Sequence, residues 1–170
     1  IPDDKKVNVI SIMLEAYNDF SKFKGIELEN DPYKNFHALQ KKSYSGKLYT
    51  NIFSAGTIDT ERAFLTGYSD TNLKKKNTAS HVQYFKNQGY FTQAMHPGYA
   101  WFYDRKNIDS FLGFENLKFY EDSYKNVDEE TLKSGLYYGM LSDIDFYDSI
   151  SGEFEKTDKD GEKYYNFSVT

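Results

Sequence analysis

Residues 7–14 (VNVISIML) form an apolar run rich in β-branched side chains, and a carboxylate, Glu15, follows directly. A run with so little polar alternation predicts a strand covered on both faces, the condition of a parallel sheet. Further strand patterns are read at 47–53 (KLYTNIF), 90–95 (YFTQAM), 117–120 and 163–170 (KYYNFSVT). Helical patterns at 33–41, 57–66, 80–87, 107–112, 128–134 and 142–155 fall between them. Strands alternating with helices predict an α/β layered sheet.

The chain has 170 residues, enough for one domain with a real core. Its net charge of −5 and its lack of a basic stripe speak against nucleic acid as a partner. Lys74–Lys76 sit among Asn and Thr and read as a solvated loop. Without cysteine there is neither a disulfide framework nor a thiolate metal site. No apolar run approaches the roughly 20 residues that span a bilayer. The first residue is Ile1 and the last strand has no closing element. We therefore expect a fragment from which an upstream signal or anchor has been removed.

Three element boundaries carry chemistry. Glu15 ends the first strand, where ligands collect in open α/β sheets, and reads as a metal ligand or as a surface carboxylate. Thr57 follows a small-residue turn (Ser54-Ala-Gly56) and opens a helix. The unpaired N–H groups of a helix N-terminus favour oxyanions, so Thr57 reads either as a plain cap or as a nucleophile towards phosphorus. Asp59, Thr60 and Glu61 read as first-turn capping residues. His96 ends the strand at 90–95, and Arg105 lies nine positions beyond it. The only two arginines against 19 lysines are Arg62 and Arg105. Arginine grips phosphate with a planar fork that lysine cannot copy, although either residue also suits a structural ion pair. His37 and His81 have no partner motif and read as ordinary surface or half-buried residues.

Taken in order, several motifs resemble the lipoteichoic acid synthase and phosphoglycerol transferase family of the alkaline phosphatase–sulfatase superfamily. They are Asn8 to Glu15, Gly56-Thr57-Ile-Asp-Thr60-Glu61 running on to Leu65-Thr66-Gly67, and Gly89-Tyr90 through His96. Phe102-Tyr103-Asp104-Arg105, Leu112-Gly113-Phe114 and Asn166 to Thr170 follow. The resemblance implies an alkaline phosphatase-like layered sheet, mostly parallel with helices on both faces, of which residues 1–170 are the N-terminal part of the catalytic domain. It implies a manganese or magnesium ion held by Glu15 and Thr57, with Thr57 as nucleophile. It implies His96, Tyr103 and Arg105 as contacts of the phosphoglycerol group. Tyr103 stands where such synthases carry a Trp, and Trp101 is close enough to supply that ring.

The implied reaction moves phosphoglycerol from a lipid donor to a cell-envelope glycan or teichoic acid through a phospho-threonine intermediate. The catalytic domain would stand on the outer face of the membrane, anchored by a segment absent from this chain. The family's Asp-His metal ligands and a further substrate-side His are also absent, so the fragment alone is expected to be inactive and to bind metal weakly. A formylglycine sulfatase is disfavoured, since there is no Cys and Thr57 is followed by Ile-Asp-Thr. Phosphoethanolamine transfer, another ester hydrolysis of the same superfamily, and a degenerate polyanion-binding module are the alternatives.

Overall fold

In the computed structural model, residues 1–50, 52, 56–69, 78–127, 136–137 and 140–170 are described. The chain runs through β1 (Val9–Met13), α1 (Lys34–Gln40), α2 (Thr57–Thr66), α3 (His81–Asn87), β2 (Tyr90–Met95) and α4 (Arg105–Leu112). It continues with β3 (Asn116–Lys118), β4 (Leu136–Tyr137), β5 (Met140–Leu141), α5 (Asp143–Lys159) and β6 (Lys163–Val169). The main sheet has the order β1-β6-β2-β3 and every pairing in it is parallel, while β4 and β5 form a separate antiparallel pair. The last strand in sequence is therefore an inner strand, and six of its seven residues are buried.

Helices lie on both faces. Leu65 of α2, Val82 of α3 and Ile108 and Leu112 of α4 pack on Tyr90 and Ala94 of β2 and on Tyr165, Phe167 and Val169 of β6. The stacked rings of Phe85 and Tyr165, 4.3 Å apart at their centroids, extend this core. On the opposite face Phe146 and Ile150 of α5 meet Met95, Tyr124 and Leu141. The rest of that face is polar. Tyr164 donates to the Gln93 side-chain oxygen, Asn166 Nδ2 donates to the Tyr164 hydroxyl at 3.0 Å, and Ser168 donates to Asn166 Oδ1 at 2.7 Å. Gln93 in turn donates to Glu153 of α5 at 3.0 Å, and Lys118 reaches the other oxygen of Glu153 at 2.6 Å. The chain of bonds satisfies groups whose burial would otherwise be costly.

Local signals explain the boundaries. Ser80 caps α3 by accepting from Gln83 N at 3.0 Å, and its hydroxyl donates to Leu112 O at 2.6 Å, tying α3 to the end of α4. Ser142 caps α5. Gly113 ends α4 at φ +110°, a conformation that side-chain-bearing residues rarely adopt, and a Cβ there would also push aside the Gln83 amide 2.6 Å away.

The expected strand over 47–53 is not seen: its described residues, 47–50 and 52, have no strand structure, and Leu48 and Tyr49 are exposed. Alternation alone does not make a strand when no sheet edge receives it, and among the described residues β1 pairs with β6 alone. β1 also departs from the expected full burial. Ile10 and Ile12 are about 40% exposed, because α5 covers β6 and β2 while β1 lies at the edge of the described sheet. The expected strand at 117–120 is shorter and begins earlier, at Asn116, and the chain turns away through a π-helical turn at Tyr120–Tyr124. The expected helix over 128–134, the Lys74–Lys76 loop and the Ser54-Ala55 part of the turn before α2 lie outside the described residues.

Candidate active site

Parallel pairing aligns the carboxyl ends of β1, β6 and β2, since Met13 sits opposite Val169 and Met95 opposite Ser168. Glu15, Thr170 and His96 therefore emerge at one edge, the side of an α/β sheet where ligands bind. Thr170 N donates to Met13 O at 3.1 Å, and Glu15 N donates to Thr170 Oγ1 at 3.0 Å, which continues the β1–β6 ladder past the strands themselves. The Glu15 side chain is exposed. These three residues line a cleft of about 960 Å³ together with Tyr99, Trp101 and Phe102.

His96 is held on two sides. Its backbone N donates to Lys118 O at 3.0 Å, and its Nδ1 lies 3.1 Å from Val169 O. A carbonyl can only accept, so Nδ1 carries the proton and Nε2 is the free acceptor of the neutral ring. Burial, with the charge of Arg105 in support, lowers the His96 pKa to about 4, so the ring is neutral near pH 7. Gly98 makes room for it: a Cβ there would lie 2.7 Å from Nε2.

Arg105 opens α4 and is 3% exposed. Its Nη2 donates to Glu61 Oε2 at 2.8 Å, and Glu61 is buried as well. Tyr103 lies beside it, with the guanidinium carbon 5.6 Å from the ring centroid. The backbone between them is unusual: Tyr103 and Asp104 both have φ near +58° (58° and 57°), the left-handed region, which costs a non-glycine residue about 1–2 kcal/mol. Arg62 Nη2 clamps this turn by donating to Tyr103 O at 2.6 Å. Asp109, buried on α4, is pushed well above the usual carboxylate range by desolvation and by the nearby Glu61 charge. Glu61 is also pushed up by burial, with Arg105 pulling it back towards the ionised form.

Of the six residues singled out from the sequence, the cleft brings together Glu15, His96 and Trp101. Trp101 is 69% exposed, with its ring edge-on to Phe102 at 5.7 Å. Thr57 is the first residue of α2, half-buried, and it does not cap through its side chain: the cap position is Gly56, which makes no side-chain bond. Tyr103 and Arg105 are not among the residues that line the cleft. Glu61 is the residue that sequence reasoning misplaced. It is not a helix cap but a buried ion-pair partner of Arg105, and no local sequence signal marked that pairing. His37 is similarly tied down, with Nε2 2.8 Å from Asp19 Oδ2.

The sulfatase family profile matches residues 7–167, nearly the whole chain. The chain belongs to the sulfatase family. As a sulfatase-family protein it is similar to a lipoteichoic acid synthase of Staphylococcus saprophyticus, 26% identical over 180 residues that take in 98% of this chain and 26% of that protein. A second curated relative, from Rhizobium meliloti, is 26% identical over 66% of this chain and 19% of its own length. The chain thus spans about a quarter or less of the curated relatives it matches. Among solved structures, the lipoteichoic acid synthase LtaP of Listeria monocytogenes superposes with a TM-score of 0.74 at 20% identity, over 96% of this chain and 40% of that one. The phosphoglycerol transferase GacH of Streptococcus pyogenes, solved with sn-glycerol-1-phosphate, gives 0.71 at 21% identity, over 96% and 44%. At such identities these two establish the fold, an alkaline phosphatase-like α/β sheet.

Proposed function

We propose that this sulfatase-family protein transfers phosphoglycerol from a lipid donor to a cell-envelope glycan or teichoic acid, with Thr57 as the nucleophile. The observation that carries the reading is the convergence of Glu15, Thr170 and His96 on one cleft at the carboxyl edge of the sheet. Fold likeness to a lipoteichoic acid synthase and to a phosphoglycerol transferase supports it.

In this reading the donor phosphate lies near the N-terminus of α2. The Thr57 oxygen attacks phosphorus, the glyceride oxygen leaves with a proton, and phosphoglycerol stays on Thr57 as an ester. The acceptor hydroxyl then attacks the same phosphorus, gives up its proton and restores the threonine. Arg105 holds non-bridging oxygens. Neutral His96 presents a lone pair on Nε2, which suits a glycerol hydroxyl donating to it better than a phosphate oxygen. Trp101, which lines the cleft, supplies a ring face to the glycerol carbons, and the assignment of Tyr103 as a further contact rests on the family resemblance alone.

Superfamily members generally use divalent metals, and the donors here fit one in kind: a carboxylate at Glu15 and a hydroxyl at Thr57 are the hard oxygen ligands that magnesium or manganese prefers. In number they are few. Among the described residues no group of three His, Asp or Glu side chains is placed to hold an ion. Glu15 and Thr57 would hold the metal, which when bound lowers the pKa of a coordinated hydroxyl. Residues 1–170 on their own are therefore expected to bind Mn²⁺ weakly and to show no turnover. No described helix is long and apolar enough to cross a membrane. The proposed site of action is the outer face of the cell membrane, reached through a segment outside this chain.

The test is Thr57→Ala in the complete protein, assayed with a phosphatidylglycerol donor and Mn²⁺. Loss of transfer with an unchanged melting temperature supports the reading. Unchanged function would favour a polyanion-binding role instead.

A further inference from the structure

The buried cluster behind the cleft connects two elements that the reaction needs in register. Thr57 and Glu61 lie one turn apart on the same face of α2, while Arg105 opens α4. Glu61 Oε2 takes a single terminal nitrogen of Arg105 at 2.8 Å. Arg105 Nε is buried and has no hydrogen-bond partner, so the pair does not satisfy the guanidinium. The charge balance runs the same way. Arg62 and Arg105 bring two positive charges, while burial holds Asp109 towards its neutral form and pushes Glu61 the same way against the pull of Arg105. An unsatisfied, net positive group of this kind is completed by an anion.

The cluster is also in electrical contact with the cleft. The charge of Arg105 is felt at His96, and that of Glu15 at Glu61. A long, rotatable Arg side chain would otherwise sample many orientations, and fixing one removes that entropy before substrate arrives. Resting on the reading of Arg105 as phosphate clamp, we infer that Glu61 is its positioning residue, locking the guanidinium at a set distance from the Thr57 hydroxyl through the rigid first turns of α2. Glu61 touches no substrate and acts only through Arg105.

The inference is tested with Glu61→Gln, Arg105→Ala and the double variant in the complete protein. The first measurement is the rate of phenylglyoxal labelling at Arg105, read by mass spectrometry, with Arg62 as internal control. Release of the guanidinium predicts labelling about fivefold faster or more at Arg105 in Glu61→Gln, with a change under about twofold at Arg62. The second measurement is transfer. Glu61→Gln is expected to lower kcat/KM about 10- to 100-fold in the wild-type background but less than about threefold when Arg105 is already Ala, since interacting residues are not additive. A Glu61 that acts independently of Arg105 would cost activity equally in both backgrounds, and that result overturns the inference, as does unchanged labelling. If Arg105→Ala leaves transfer intact while labelling responds, the clamp reading fails and only the holding contact survives. Glu61→Asp, with the charge kept and the reach shortened, gives the same comparison if the Gln variant does not fold.

Discussion

His96 is the residue whose state is best defined by its surroundings. Its pKa falls from the usual 6.5 to about 4 on folding, because the ring is cut off from water beside the Arg105 charge. Between those values the unfolded chain binds a proton that the native chain refuses, so stability is lost as pH falls from about 6.5 to 4 and is constant above that window. The loss from this group is of order 3 kcal/mol at most. Urea unfolding at pH 7 and 4.5 should show it, and His96→Gln should remove that part of the difference. A second residue-scale prediction concerns Tyr164, buried between Gln93 and Asn166 and kept protonated by desolvation. Tyr164→Phe leaves both amides short of a partner and should cost about 1–3 kcal/mol, seen as a lower denaturation midpoint at unchanged slope. Neither residue's protonation state was open to sequence reasoning alone. A strand pattern gives the position of His96 at the end of β2, but its tautomer depends on Val169 O, 73 positions away.

At the scale of elements, local chemistry governs whatever local chemistry can decide. The bounds of α2 and β2 follow from their apolar periods and from Gly67 and Gly89, which stop or start them as the pattern predicts. The helix read over 80–87 begins one residue later, because Ser80 is its cap, and the second bond of Ser80 to Leu112 O had no signal in the sequence. Ser80→Ala should therefore cost more than a bare cap, about 1–2 kcal/mol, and calorimetry of the purified protein measures it. Pairing was harder to read. The run at 47–53 has strand composition, yet Lys47–Thr50 meet no edge, whereas 163–169 is drawn into the inner position between β1 and β2. The Tyr103–Asp104 left-handed turn has no glycine to announce it, and it is held from outside by Arg62.

For the molecule as a whole, the α/β class and its parallel sheet were legible because strands and helices alternate along the chain. The gathering of Glu15 and His96 follows from strand direction, since parallel strands put their carboxyl ends together, while Trp101 joins them from the turn that follows β2. The Glu61–Arg105 pair was not legible, because it joins helices 44 positions apart and looks in sequence like an ordinary helix start and an isolated arginine. Its consequence is architectural: the proposed nucleophile and the proposed clamp sit on different helices that one buried bond joins.

The central claim is that Thr57 carries the transferred group. The most direct measurement is to quench the complete protein with acid during turnover of a phosphatidylglycerol donor and map covalent additions by peptide mass spectrometry. The account predicts phosphoglycerol on the peptide containing Thr57, absent from Thr57→Ala. Full transfer activity in that variant, or an addition at another residue, would contradict it.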